Sequence, residues 1–229
     1  MSCRFLAWGV ASGGLATACS FGSFQTAHTQ LPGTVSITPG ATYVTNRIDD
    51  EAGRSTLTNS SAQLSGRAGI TERVDVGVGT FLQTGLKGDV KMNVLSPHAR
   101  LALAPRLGAG YRLGREIGMV EGGAITSYRL VQGLEPYVGL SFANHWIEAE
   151  APSATPPNAV AARGTGDGLL QLSIGIELVQ MSHFAILVEY GHWFPLNDDP
   201  GDFYRFLPTN IFGIALRLGR VRPAESGGR

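Results

Sequence analysis

The stretch Gly66–Phe81, "GRAGITERVDVGVGTF", decides the fold. On both sides of Thr71-Glu72-Arg73, bulky or apolar residues alternate with small or polar ones. Val74, Val76, Val78 and Thr80 form one row, and Asp75, Gly77, Gly79 and Phe81 form the other. A strand sends alternate side chains to opposite faces, so the pattern predicts two strands joined by a tight turn. The apolar row then faces either a soluble core or lipid. In the second case the polar row lines the interior of a membrane barrel.

Composition favours lipid. The chain has 229 residues, net charge +0 and 16% charged residues. A balanced charge gives no electrostatic basis for binding nucleic acid. Beyond the N-terminus no apolar run reaches the roughly 18 residues of a membrane helix. Many of the 31 glycines fall inside strand-like segments, where they weaken a soluble sheet but suit the close-packed wall of a barrel.

The N-terminus reads as a targeting segment. Arg4 precedes an apolar stretch, Phe5–Ala18, that ends in Ala16-Thr17-Ala18, which predicts a signal peptide over residues 1–18. Cleavage after Ala18 makes Cys19 the first residue. "LATAC" resembles a bacterial lipoprotein box, with Ala16 where Leu is typical. Cys3 leaves with the signal, so Cys19 becomes a lone thiol. Acylation of Cys19 accounts for that, and the alternative is plain cleavage beside an incidental cysteine. Residues 19–32 read as a flexible polar lead.

From residue 33 to 220 the chain reads as one barrel, followed by a polar tail, 221–229. About ten strand-like segments recur, near 34–47, 62–70, 74–83, 88–95, 100–112, 118–130, 135–147, 168–180, 183–194 and 205–218. Each approaches the roughly 9–11 residues a tilted membrane strand requires. Odd-numbered links are longer and more hydrophilic, among them "IDDEAGRSTLTNSS" and "EAEAPSATPPNAVAARGTG"; even-numbered links are short, such as "TER" and "MS". Membrane barrels sort their loops in this way, and an even strand count places both termini on the short-turn, periplasmic side.

Charge phase supports the same reading. Within each strand the charged residues oppose the apolar row, so none sits at the lipid midplane. The expected interior holds Arg67, Lys91, Arg100, Arg106, Arg112, Arg129 and Arg217 with Asp75, Asp89, Glu121, Glu177 and Glu189. Buried charges are tolerated when paired, so the bland expectation is a structural ion-pair network with trapped water and at most a narrow pathway. Tyr43, Tyr111, Trp146, Tyr190 and Phe194 fall on the apolar row toward the outer strand ends, and Tyr128 toward the periplasmic end. These are the expected interfacial aromatics. Pro39, Pro105 and Pro208 interrupt the pattern and are expected at bulges or rims.

The alternating "RAGITERVDVGVGTF" and the strand-and-loop plan resemble small bacterial, porin-like outer-membrane β-barrel proteins over residues 33–220. The resemblance implies an all-β, closed, antiparallel, up-and-down transmembrane barrel in a Gram-negative outer membrane. It also implies contact with membrane lipid and lipopolysaccharide and with the outer-membrane assembly machinery. Such proteins usually end in an aromatic residue, whereas this chain ends "LGRVRPAESGGR". The expected role is structural or a narrow pore, without catalysis.

Two other classes compete. His145-Trp146 and His192-Trp193 lie near the outer rim, close to Glu189 and the acidic "NDDPGD" (Asn197–Asp202), which suggests a rim hydrolase or protease. In period-2 geometry Glu189 and His192 point to opposite faces, which argues against it. Ser141 and His145 share a face, but they are too far apart along a strand to touch. The acidic segment could bind Ca²⁺, yet it is also standard turn composition. No zinc pattern or nucleotide loop occurs, so no cofactor is expected. The third class is a periplasmic, lipid-anchored barrel whose apolar row faces inward around a small apolar ligand.

Overall fold

The structure, a computed structural model, describes residues 24–50, 53–81, 85–112, 117–131, 133–147, 167–181, 183–196 and 209–219. Ten strands follow in chain order: β1 (Val35–Asp50), β2 (Gly53–Gly69), β3 (Val74–Phe81), β4 (Gly85–Met92), β5 (Leu101–Arg112), β6 (Ile117–Tyr128), β7 (Leu134–Ile147), β8 (Asp167–Met181), β9 (Phe184–Pro195) and β10 (Thr209–Gly219). Each pairs antiparallel with its sequence neighbours, and β10 returns to β1 from Ser36↔Gly219 to Asn46↔Thr209. The sheet is a closed up-and-down barrel. Closure gives every wall strand a hydrogen-bonded neighbour on both sides, which a strand surrounded by hydrocarbon requires.

The faces are inverted relative to a soluble protein. Leu107 is 66% exposed, whereas Lys91 is 2% exposed. Val76, Val78, Leu140, Ile174 and Phe212 look outward; Asp75, Arg106, Glu121, Glu177 and Glu189 are buried inside. A contiguous apolar belt around a charged interior is the arrangement of a membrane-spanning barrel. It also removes the apolar-ligand barrel, whose greasy row had to face inward. No helix among the described residues is long and apolar enough to cross a membrane.

Glycine and proline positions follow from the packing. Gly118 lies under the Trp146 ring on the lipid side, and Gly175 under the Tyr137 ring inside; a Cβ at either position would collide with the ring. Pairing of β1 with β10 skips Thr38 and Pro39 between Ile37↔Leu218 and Gly40↔Ala215, because Pro39 has no N–H to donate. Pro105 lies just past the last β4–β5 pair, Lys91↔Arg106, where its missing donor leaves no ladder bond unmade. Pro208 lies outside the described residues.

Three sequence expectations need correction. The long polar loop after the first strand is mostly strand: β1 and β2 stay paired up to Asp50↔Gly53. Its Ser/Thr alternation is β-prone but polar on the outward face, as Thr56, Thr58 and Ser60 show by their exposure. The β1–β2 hairpin therefore continues past the apolar belt. β4 begins at Gly85, so Lys87 is a wall residue and not part of a loop. The polar lead is not a loose tether where it is described: Phe24–Gln30 are all buried.

Leu107→Arg, mid-wall on β5, is expected to cost about 2–4 kcal/mol in urea unfolding from lipid vesicles. A cost near zero would mean this face does not meet hydrocarbon.

Candidate functional site

Among the described residues the fold collects its ionisable groups in the lumen, and the chain's own N-terminal segment occupies it. From Pro32, which bridges to Gly69 at the rim, the segment runs inward to Phe24. Its backbone polar groups need partners once buried, and the wall supplies them. The N–H of Gln30 donates to Asp75 Oδ2 at 3.0 Å, that of Ala27 to Ser127 Oγ at 3.1 Å, and that of Phe24 to Glu189 Oε2 at 2.9 Å. Lys91 Nζ donates to the carbonyls of Thr26 (2.7 Å) and His28 (3.0 Å). Thr29 Oγ1 donates to the carbonyl of Glu72 in the β2–β3 turn, at 2.7 Å.

Two side chains anchor the segment. The Phe24 ring lies against Gly213 on β10 and Gly40 on β1; a Cβ at Gly213 would overlap it. Phe24 holds a φ of +37°, a conformation that non-glycine residues leave unless their surroundings fix it. His28 sits between two acceptors, with Nδ1 2.7 Å from Glu135 Oε1 and Nε2 3.1 Å from the Ala99 carbonyl. A protonated imidazole donates to both. Ser127 Oγ adds a second donor to the same Glu135 oxygen, at 2.7 Å.

Around the segment the charges form a paired network. Arg67 bridges Asp75 and Asp89. Lys91 lies 3.5 Å from Asp75, Lys87 2.7 Å and Arg106 3.2 Å from Glu121, and Arg217 2.7 Å from Glu177. Glu189 accepts from Tyr137 Oη at 2.9 Å in addition to the Phe24 N–H. Removing one member of such a pair leaves a buried charge uncompensated, at about 3–5 kcal/mol.

Most of the residues predicted for the interior meet there: Arg67, Asp75, Asp89, Lys91, Arg106, Glu121, Glu177, Glu189 and Arg217. Arg100 does not. It precedes β5 and is exposed to solvent, because the strand starts one residue later than the alternation suggested. Arg129 lies just past β6, half-buried, with Nε 3.4 Å from Glu135 Oε2, so it belongs to the rim. The side chain of Arg112, Cys19, the signal segment, the acidic "NDDPGD" and the tail lie outside the described residues.

Sequence reasoning missed Lys87, Glu135, Tyr137, His28 and Phe24. Lys87 was hidden by the misplaced start of β4. The "FQTAHTQ" segment gave a mixed signal: it opens on an aromatic residue and carries no Asp, Glu, Lys or Arg, while its two glutamines suit a disordered lead.

The six aromatics Tyr43, Tyr111, Tyr128, Trp146, Tyr190 and Phe194 all point outward. The two His-Trp pairs prove to be opposite in phase. His145 and Trp193 are buried inside with ring centroids 6.4 Å apart, while Trp146 is exposed outside and His192 packs against Phe194 at 4.4 Å. His192 Nδ1 lies 2.8 Å from Asn210 Oδ1, on the face opposite Glu189. No cluster of metal-ligating side chains occurs among the described residues.

No family model and no curated protein matches the chain. Solved structures do. The translocator domain of autotransporter NalP from Neisseria meningitidis aligns over 96% of each chain at 9% identity, with a TM-score of 0.44. The N-terminal β-barrel domain of Pseudomonas aeruginosa OprF covers 83% of this chain and 99% of its own at 10% identity, TM-score 0.39. The NanC porin covers 80% and 98% at 8% identity, TM-score 0.43. At these identities and scores the likenesses carry no argument about function.

Gly213→Val is expected to eject the Phe24 ring and raise the rate of proteolysis within Phe24–Gln30 at least tenfold, read by mass spectrometry of the released fragments. Gly88→Ala is the control: its new Cβ would meet only the Gly77 carbonyl, at 3.8 Å, and should leave the rate unchanged.

Proposed function

We propose that this protein is an outer-membrane barrel with a structural, non-catalytic role, held closed by its own N-terminal segment. The supporting observation is the burial of Phe24–Gln30 inside the lumen on partners from five strands: Asp75 (β3), Lys91 (β4), Ser127 (β6), Glu135 (β7) and Glu189 (β9). About eight strands already make an interior that side chains can fill. Ten strands leave surplus space, and here a stretch of main chain takes it up. In this reading the termini and the short turns β2–β3, β6–β7 and β8–β9 face the periplasm. The protruding β1–β2 hairpin faces outside, where its polar outward row meets the lipopolysaccharide headgroups, and the assembly machinery inserts the barrel.

The rim-hydrolase reading has less support. Glu189 is committed to Phe24 and Tyr137 inside, and His192 to Asn210 outside, so the wall stands between the acid and the base such a site would need.

In planar bilayers the full mature chain is expected to be silent. A variant lacking residues 24–30, checked for a folded barrel by heat-modifiable gel migration, is expected to give discrete conductance steps. Steady stepwise conductance by the full chain would refute closure, and silence of the folded deletion variant would refute the segment as its cause.

A further inference from the structure

His28 is the one ionisable side chain in Phe24–Gln30. Its ring is buried, and both of its nitrogens meet acceptors. Nδ1 lies 2.7 Å from Glu135 Oε1, and Nε2 lies 3.1 Å from the Ala99 carbonyl. An ionised carboxylate and a backbone carbonyl accept hydrogen bonds and donate none. Neutral imidazole carries one N–H, whereas the imidazolium carries two. Only the imidazolium makes both bonds. With a single proton on Nδ1, the Nε2 lone pair faces the Ala99 oxygen. With it on Nε2, the Nδ1 lone pair faces the carboxylate. Ser127 does not repair this. Its hydroxyl donates to Glu135 Oε1 at 2.7 Å; turned instead to Nδ1, 3.4 Å away, it deprives Glu135 of a second donor.

The two imidazole bonds tie the segment to separate parts of the wall. Ala99 lies between β4 and β5, and Glu135 is the second residue of β7. The neighbouring charges come from every side. Arg129, just past β6, has Nε 3.4 Å from Glu135 Oε2. Lys91 on β4 donates to the His28 carbonyl and lies 3.5 Å from Asp75 on β3. Glu177 on β8 is paired with Arg217 on β10. His98 and Arg100, on either side of Ala99, are exposed, as are Glu72 and Arg73 between β2 and β3. When the imidazole is neutral, the cation left on Glu135 is Arg129, half-buried at the rim. A buried carboxylate that loses a cation and a donor is costly to keep in place. The same proton thus holds the segment to the wall and balances the charge behind it.

We propose that His28, set between Glu135 Oε1 and the Ala99 carbonyl, is a proton-operated latch that keeps Phe24–Gln30 docked in the lumen and releases it when the ring gives up one proton to water. The latch presupposes the closure by this segment proposed above and adds the condition under which the segment leaves. Imidazole ordinarily exchanges its proton between about pH 5 and 8. The docked state belongs to the acid side of that range, and the segment loosens toward the alkaline side.

The test uses the full mature chain in phosphatidylcholine nanodiscs at about pH 5 and about pH 8, the ends of the imidazole range. Hydrogen exchange of the peptide covering Phe24–Gln30 is read by mass spectrometry as protection factors, which divide out the intrinsic pH dependence of exchange. The ring ¹⁵N signals of His28 report its protonation over the same interval. Protection is expected to fall at least tenfold toward the higher pH, in step with loss of the ring proton. His28→Gln, which does not titrate, should give equal protection at both pH values, and His98→Gln should keep the unsubstituted response. Planar bilayers separate the latch from the closure it presupposes: protection that falls while the bilayer stays silent at the higher pH supports the latch and tells against the segment as the seal. The proposal is overturned if the ring keeps one protonation state throughout, if protection is unchanged while the proton is lost, or if the fall persists in His28→Gln.

Discussion

Every backbone N–H and C=O at membrane depth must find its partner within the protein, because hydrocarbon offers none. The rest of this structure follows from that constraint. It excludes an open sheet, so β10 must return to β1. Once closed, the wall has a lipid face and a lumen face, and period-2 alternation distributes the side chains between them. The apolar row lowers the free energy by leaving water for lipid, and the ionisable row is confined to a narrow space in which each charge needs a counter-charge.

That space is larger than its side chains. The network of Arg67, Asp75, Lys91, Glu121, Glu135, Glu189 and Arg217 satisfies much of the lumen, but it also uses the main chain of Phe24–Gln30 as donor and acceptor. Lys91 shows the dependence. Its nearest carboxylate oxygen, on Asp75, is 3.5 Å away, while the Thr26 and His28 carbonyls lie at 2.7 and 3.0 Å. The segment cannot stay inside without the wall, and the charges lose part of their solvation without the segment. Closure of the lumen and pairing of its charges are one arrangement.

The alternation around Val74–Phe81 was legible because a one-residue shift would exchange the two faces: Val76 and Asp75 could go only where they went. The same logic placed nine of the twelve predicted lumen residues. It failed at Arg100 and Lys87 for one reason, that strand ends depend on the partner strand's length. Gly85 begins β4 opposite Arg112, the last residue of β5, and Leu101 begins β5 opposite Tyr128, the last residue of β6. The Thr/Ser run after Gly53 was read as loop on polarity, although a strand above the lipid has no need of apolar residues. The His-Trp pairs looked alike in sequence, and only strand phase showed that His145 lies inside and His192 outside.

What the sequence determined by itself was the class of fold, the antiparallel order, and the side of the wall on which each row lies, because these depend on local periodicity and the solvent that surrounds it. What only the tertiary structure decided was the path of Phe24–Gln30 and the pairing of individual charges. Those contacts join residues up to 165 positions apart, and they form only once ten strands have closed on a lumen wide enough to admit a segment of main chain.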